Sequence, residues 1–126
     1  MKYKLADAIS SLAPGQEWAC RDHDYDQITW FPEKNSMPLP SKAALEAEVA
    51  RLNAAEPMRL LREERDKRLS ACDWVVTKAL ETSTPVSEEW ASYRQALRDL
   101  PDTATPRLNS TDWLDISSVS WPSVPQ

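Results

Sequence analysis

Glycine is almost absent: Gly15 is the only one in 126 residues. Loops that cradle phosphate need several backbone positions without a Cβ, so neither a P-loop nor a dinucleotide fingerprint fits this chain. A nucleophile elbow needs glycine too, and no serine stands in that pattern. Histidine is equally scarce, and any His-dependent mechanism must run through His23. The two cysteines, Cys20 and Cys72, lie far apart and allow one disulfide at most, with two reduced thiols the simpler reading. Cys20 and His23 have ligand-like spacing, but no second pair follows to complete a zinc site. Basic residues are outnumbered, 15 against 20 acids, so the chain has no electrostatic footprint for nucleic acid. No segment approaches the ~20 apolar residues that cross a bilayer. The opening MKYKLADAIS holds no apolar run of signal-peptide length. The expectation is a soluble, cytoplasmic protein with no cofactor, no metal, no membrane and no nucleic acid among its ligands.

What is present is tryptophan and proline, 6 and 10 residues, on a composition that is 41% apolar and 28% charged and therefore globular. Leu5, Ala8, Ile9 and Leu12 recur at helical spacing over residues 3–13, and Pro14-Gly15 stops that helix. QEWACR and QITWF flank the polar DHDYD, and Trp18 with Cys20, then Ile28 with Trp30, share a side at period two. That pattern predicts a β-hairpin. Pro32, Pro38 and Pro40 make the next stretch loop. Ser41 is the expected N-cap of a long helix carrying Ala44, Leu45, Val49 and Leu52. Pro57 removes a hydrogen bond within it and predicts a kink or brief break near 53–56. A helix then continues to about residue 72 on Met58, Leu61, Leu69 and Cys72, with Arg65 in the same stripe, and ends at Asp73-Trp74. Val75 and Val76 either prolong it or form a short extended piece. Ser87 caps a further helix with the stripe Trp90, Tyr93, Leu97 and Leu100, expected to end at Pro101. The fold class is α+β: a helix and hairpin, a long kinked helix, a second helix, and an extended tail. A composition shift near residue 57 divides it into modules 1–56 and 57–126.

Two constellations suggest chemistry. Asp22, Asp24, Asp26 and Glu33 have calcium-loop spacing, though Gln27 stands where the sharp turn needs glycine. The alternative is a polar turn whose aspartates bond nearby amides. His23, between two of those aspartates, is either a general base or an exposed turn residue. Tryptophan is the stronger lead, because each indole buries ~150–250 Å². Trp18, Trp30, Trp74 and Trp90 are expected in the core. Trp113 and Trp121 sit in the proline-rich tail, which either wraps back over its own helices or docks on a partner.

RDKRLSACDW, SEEWASYRQALRDLP and the closing WPSVP form one ordered string. It resembles the phage tail-assembly chaperone family through Arg65, Asp66, Leu69, Asp73 and Trp74, then Trp90, Tyr93, Arg94, Leu97, Arg98, Asp99, Leu100 and Pro101, then Trp121 and Pro122. The N-terminal half resembles the small XkdW-like domain of phage tail-region proteins, through the helix ending at Pro14-Gly15, Glu17-Trp18, Tyr25 and Trp30. The resemblance implies a non-catalytic assembly chaperone in the host bacterial cytoplasm. Its implied partner is a phage tail fibre protein, a homotrimer whose hydrophobic end it covers, with retention at the fibre tip as an extension of that role. The expected partner-binding residues are Trp74, Trp90, Tyr93, Arg94, Leu97, Trp113, Trp121 and Pro122. Arg65-Asp66 and Arg98-Asp99 are expected to pair across two packed helices. The competing readings are a permanent structural subunit of the virion and, from a different class, a small calcium-dependent hydrolase.

Overall fold

A computed structural model describes residues 1–126. It is an α+β chain, mostly helical. The elements are α1 (Leu5–Leu12), β1 (Trp18–Cys20), β2 (Ile28–Trp30), α2 (Lys42–Ala71), α3 (Asp73–Glu81) and α4 (Glu88–Thr103). Single 3-10 turns lie at Tyr25–Gln27 and Ile116–Ser118. The chain divides into two compact units, Met1–Glu56 and Pro57–Gln126.

In the first unit, α1 starts where the Asp7 carboxylate accepts the Lys4 N–H (2.8 Å), which satisfies one orphan donor of the first turn. Ala8, Ile9 and Leu45 are fully buried, with Leu5, Trp18, Tyr25, Ile28, Trp30 and Val49 packed around them. Ile9 and Leu45 each contribute about 1.5–3 kcal/mol gross. The strands pair antiparallel with Trp18 opposite Trp30 and Cys20 opposite Ile28. Side-chain amides continue the pairing beyond these three-residue strands. Asn35 accepts the Glu17 N–H (2.6 Å) and donates to the Glu17 carbonyl (2.8 Å). Gln16 Oε1 accepts the Ser36 N–H (2.8 Å). The N-terminal segment is tied to α2: Asn53 bonds both backbone groups of Tyr3, at 3.0 and 3.1 Å. Glu56, only 1% exposed, accepts the Tyr3 hydroxyl (2.6 Å) and Lys2 Nζ (2.9 Å).

Ser41 caps α2 as expected, its Oγ accepting the Ala44 N–H at 3.1 Å. The helix is continuous through Pro57, so a break at 53–56 does not occur. A mid-helix proline costs ~3 kcal/mol. That is within what side-chain anchoring on both flanks supplies, from Leu45 and Asn53 before it and Leu60 and Leu61 after it.

In the second unit, Asp73 to Glu81 are helical, so of the two readings of Val75-Val76 the helical one holds and the extended piece does not form. Packing overrides their β-branched preference, because Val75 is buried with Cys72, Tyr93 and Leu97. Ser87 caps α4 by accepting the Trp90 N–H (3.4 Å). This helix runs to Thr103 rather than stopping at Pro101, and the Ala104 N–H still reaches the Leu100 carbonyl (3.0 Å). The tail then folds back on its own helices. Val119 is buried against Leu61 and Leu100, and Trp121 packs on both the Leu97 and the Leu61 clusters.

Candidate functional site

Aromatic rings gather where α3 meets α4. The Trp74 and Trp90 centroids stand 5.6 Å apart with planes at 74°, and Trp90 and Tyr93 stand 5.8 Å apart at 83°. Edge-to-face pairs of this kind add ~0.5–1.5 kcal/mol beyond burial. Tyr93 is buried and Trp90 half-buried, but Trp74 is 54% exposed, which corrects its expected place in the core. An exposed helix position two residues into α3 cannot be reached by the packing that covers Val75. A cleft of about 490 Å³ runs along this face, lined by Arg68, Cys72, Trp74, Trp90, Tyr93 and Val124 among others.

Arg94 closes the joint from inside, its side chain 11% exposed. Its Nη1 donates to the Leu69 carbonyl (3.1 Å) and to Cys72 Sγ (3.0 Å), and its Nη2 to Asp73 Oδ1 (3.1 Å). Desolvation would lower the Arg94 pKa, but donation to Cys72 and Asp73 outweighs it and the net direction is up. Leu69 lies in the last turn of α2 and its carbonyl already accepts the Cys72 N–H (3.1 Å), so Arg94 reinforces the cap of one helix as a second donor while pairing with the first residue of the next. Leu97 is fully buried, so its part in any binding is to hold α4 in place.

The cross-helix ion pairs are a correction. Arg65 bonds its neighbour Asp66 (3.0 Å), and Arg98 and Asp99 both engage Gln95 on their own helix. Both pairs stay within single helices, with Arg65 itself half-buried, and the inter-helix task falls to Arg94. Along α2, Glu64 pairs with Arg68 at 3.1 Å and Glu63 with Arg59 at 2.6 Å.

In the tail, Trp121 stacks under the Arg68 guanidinium (4.1 Å to the centroid) and donates its indole N–H to the Ile116 carbonyl (3.1 Å). Pro122 is half-buried beside Asp99, Leu100 and Ser120. Trp113 goes the other way and is 67% exposed. It sits on an ordered loop: Leu108 bridges Leu114, and Asn109 Oδ1 accepts the N–H groups of Thr111 (2.9 Å) and Trp113 (3.1 Å). Asp115 accepts the Ser117 hydroxyl (2.6 Å) and N–H (3.0 Å), and the hydroxyl donation chiefly holds its carboxyl below the usual range. Leu80, 76% exposed, is a further apolar surface residue that periodicity did not single out. The signal was there, since Val76 and Leu80 sit four apart on the α3 face that carries no core residue.

In the first unit, Asp22, His23, Asp24, Tyr25, Tyr3 and Lys42 line an open hollow of about 580 Å³. No group of three or more His, Cys, Asp or Glu side chains is placed to hold a metal ion. Asp24 instead caps the 3-10 turn by accepting the Asp26 N–H (3.0 Å), so the aspartate spacing serves the turn. Both cysteines are free thiols. Glu48 is held below its ordinary pKa, first by donation from Arg51 Nε at 2.7 Å.

The fold and its surface define a small α+β protein whose helical half presents tryptophan to solvent. Residues 58–126 match the family model described as phage tail assembly chaperone protein. The match covers more than half of the chain, and the chain belongs to that family. Membership makes it a bacteriophage protein of virion assembly, a chaperone with a tail protein as partner and a non-catalytic role. No curated protein and no solved structure matches it. No helix is long and apolar enough to cross a membrane.

Proposed function

We propose that this chaperone serves a tail fibre, covering a hydrophobic end of the fibre homotrimer while it assembles in the host bacterial cytoplasm. The observation that carries this reading is the pair of exposed indoles on ordered backbone, Trp74 on α3 and Trp113 on the Asn109 loop. Tryptophan is the side chain most enriched among interface hot spots, and a rigid support lowers the entropy lost on docking. Trp90, Tyr93, Arg94, Leu97, Trp121 and Pro122 act behind them as the scaffold that fixes their positions. Residues 1–56 form a separate XkdW-like domain and residues 57–126 the chaperone domain. After assembly the protein stays at the fibre tip.

Co-expression tests the reading. The tail fibre protein of the same phage is expected to be insoluble alone, and soluble and trimeric with the chaperone. Replacing Trp74 and Trp113 together by Ala is expected to abolish the rescue while leaving the helical signal intact. A fibre that is soluble and trimeric without the chaperone refutes the proposal. Mass spectrometry of purified particles decides retention at the tip.

A further inference from the structure

We infer that the Trp74–Trp90–Tyr93 cleft receives a neutral, extended, proline-containing segment of the tail protein, and that the chain's own residues Pro122–Gln126 cover its rim until that segment arrives. The inference rests on the proposed role of Trp74 in partner binding and names what Trp74 meets.

Four observations lead there. The walls are helical, from α2, α3 and α4, so no strand edge is available and recognition falls to side chains. Three rings stand successively edge to face in contact, so they form one continuous aromatic wall whose most open member is Trp74. Flat pyrrolidine rings on a polyproline II backbone lie against aromatic walls of this kind, and that backbone is ordered before it binds. The flanking charges are already matched, because Arg68 pairs with Glu64 and stacks on Trp121. A charged segment would gain nothing from them. Finally, no buried side-chain nitrogen or oxygen lacks a partner, and the one carboxylate in the lining, Glu64, is already taken by Arg68 (3.1 Å), so a segment rich in N–H donors gains few acceptors there. Proline, which has no N–H, suits such walls.

The chain itself supplies a segment of this chemistry. Trp121 is followed by Pro122, Ser123, Val124, Pro125 and Gln126, an uncharged run with two prolines. Trp121 anchors it, and the tail's final backbone hydrogen bond runs from the Trp121 N–H to the Val119 carbonyl (3.1 Å). Val124 lies in the cleft lining yet is 57% exposed, so it covers the rim lightly. A weakly seated segment of the right composition is a displaceable cover.

The test uses the full chain and two synthetic peptides. One is acetyl-PSVPQ-amide, the sequence of Pro122–Gln126, and the other replaces both prolines by serine. The readout is the nuclear magnetic resonance signal of each tryptophan indole N–H. The proline peptide is expected to move the Trp74 and Trp90 signals in a saturable way, and the serine peptide is expected not to. In the double variant Val124→Ser, Pro125→Ser the cover is weakened. If the rim is covered nine-tenths of the time, saturation then comes at about tenfold lower peptide concentration. Trp74→Ala, at an exposed position, is expected to keep the helical signal and lose the response. Equal responses to both peptides, no response in either chain, or an unchanged midpoint in the double variant each overturn the inference. So does concentration-dependent dimerisation lost in the double variant, since the occupant is then a second copy. Rescue of the fibre by co-expression is scored separately. Rescue without any peptide response removes this inference and leaves the chaperone reading standing.

Discussion

Replacing Trp121 by Ala removes the side chain that both clusters of the second unit share. A fully buried indole removes ~150–250 Å² from water. Trp121 is half-buried, and about 100 Å² at ~25 cal/mol per Å² is worth about 2.5 kcal/mol. The Arg68 guanidinium over the ring adds about 0.5–1 kcal/mol, since it is only partly desolvated. The indole N–H to the Ile116 carbonyl adds about 1 kcal/mol. Freeing the side chain returns about 1 kcal/mol of entropy, so the net loss is about 3 kcal/mol. For a chain of this size each kcal/mol lowers Tm by ~4 °C, and a fall of about 12 °C is expected. Thermal melts followed by far-ultraviolet circular dichroism measure it. Trp121→Phe keeps a ring but loses the N–H, and is expected to fall roughly a third as far. A drop under ~3 °C for Trp121→Ala would falsify the packing of the tail on its own helices.

Other perturbations separate scaffold from surface. Arg94→Lys keeps the charge but not the fork that reaches Leu69, Cys72 and Asp73 together, and a loss of about 1–2 kcal/mol is expected in urea titrations; unchanged stability refutes the capping role. Trp113→Ala is expected to change stability by under ~0.5 kcal/mol, because the ring is already in solvent, while reducing co-purification of the fibre. Asp115→Asn tests a sign. The folded Asp115 pKa is depressed, so its contribution is present above the ordinary carboxylate value of ~3.9 and is lost as pH falls through the lower, folded value. The Tm gap between parent and variant is therefore expected to be constant near neutrality and to close below about pH 4, and a gap that widens on acidification refutes the assignment.

Local chemistry was legible in the residues. Ser41 and Ser87 cap the helices they precede, and period-two spacing in QEWACR and QITWF marked the hairpin that forms, though its register came from the structure. What escaped was settled by partners distant in the chain. Asn53 and Glu56 read as ordinary polar positions of a long helix, yet they are buried because Tyr3 and Lys2, some fifty residues earlier, reach them. Val75 and Val76 gave no clear local preference, and the helix there is settled by Val75 entering the Leu97 cluster. Trp113 and Trp121 were indistinguishable by type and setting. Their opposite fates follow from Asn109, which turns Trp113 outward, and from Val119, which draws the chain inward two residues before Trp121.

The residues that carry the family resemblance are mostly occupied with one another. Arg94 binds the Leu69 carbonyl and Asp73, Tyr93 supports Trp90, and Trp121 rests on Arg68. A side chain that donates its hydrogen bonds internally, inside a packed joint, has few left for a partner. The string therefore specifies the α2–α3–α4 joint and the seat of the tail, and of its aromatic members only Trp74 reaches well into solvent. Trp113, on the proposed reading, adds contact from a loop outside the string. A scaffold fixed by internal bonds with recognition placed at its edge lets the recognising loop change without unfolding the joint. It follows that exchanging residues 110–113, with Asn109 and Leu114 kept to hold the loop, should alter which tail protein is bound while leaving Tm nearly unchanged. The same exchange made at Arg94 or Trp121 should lower Tm whatever the partner.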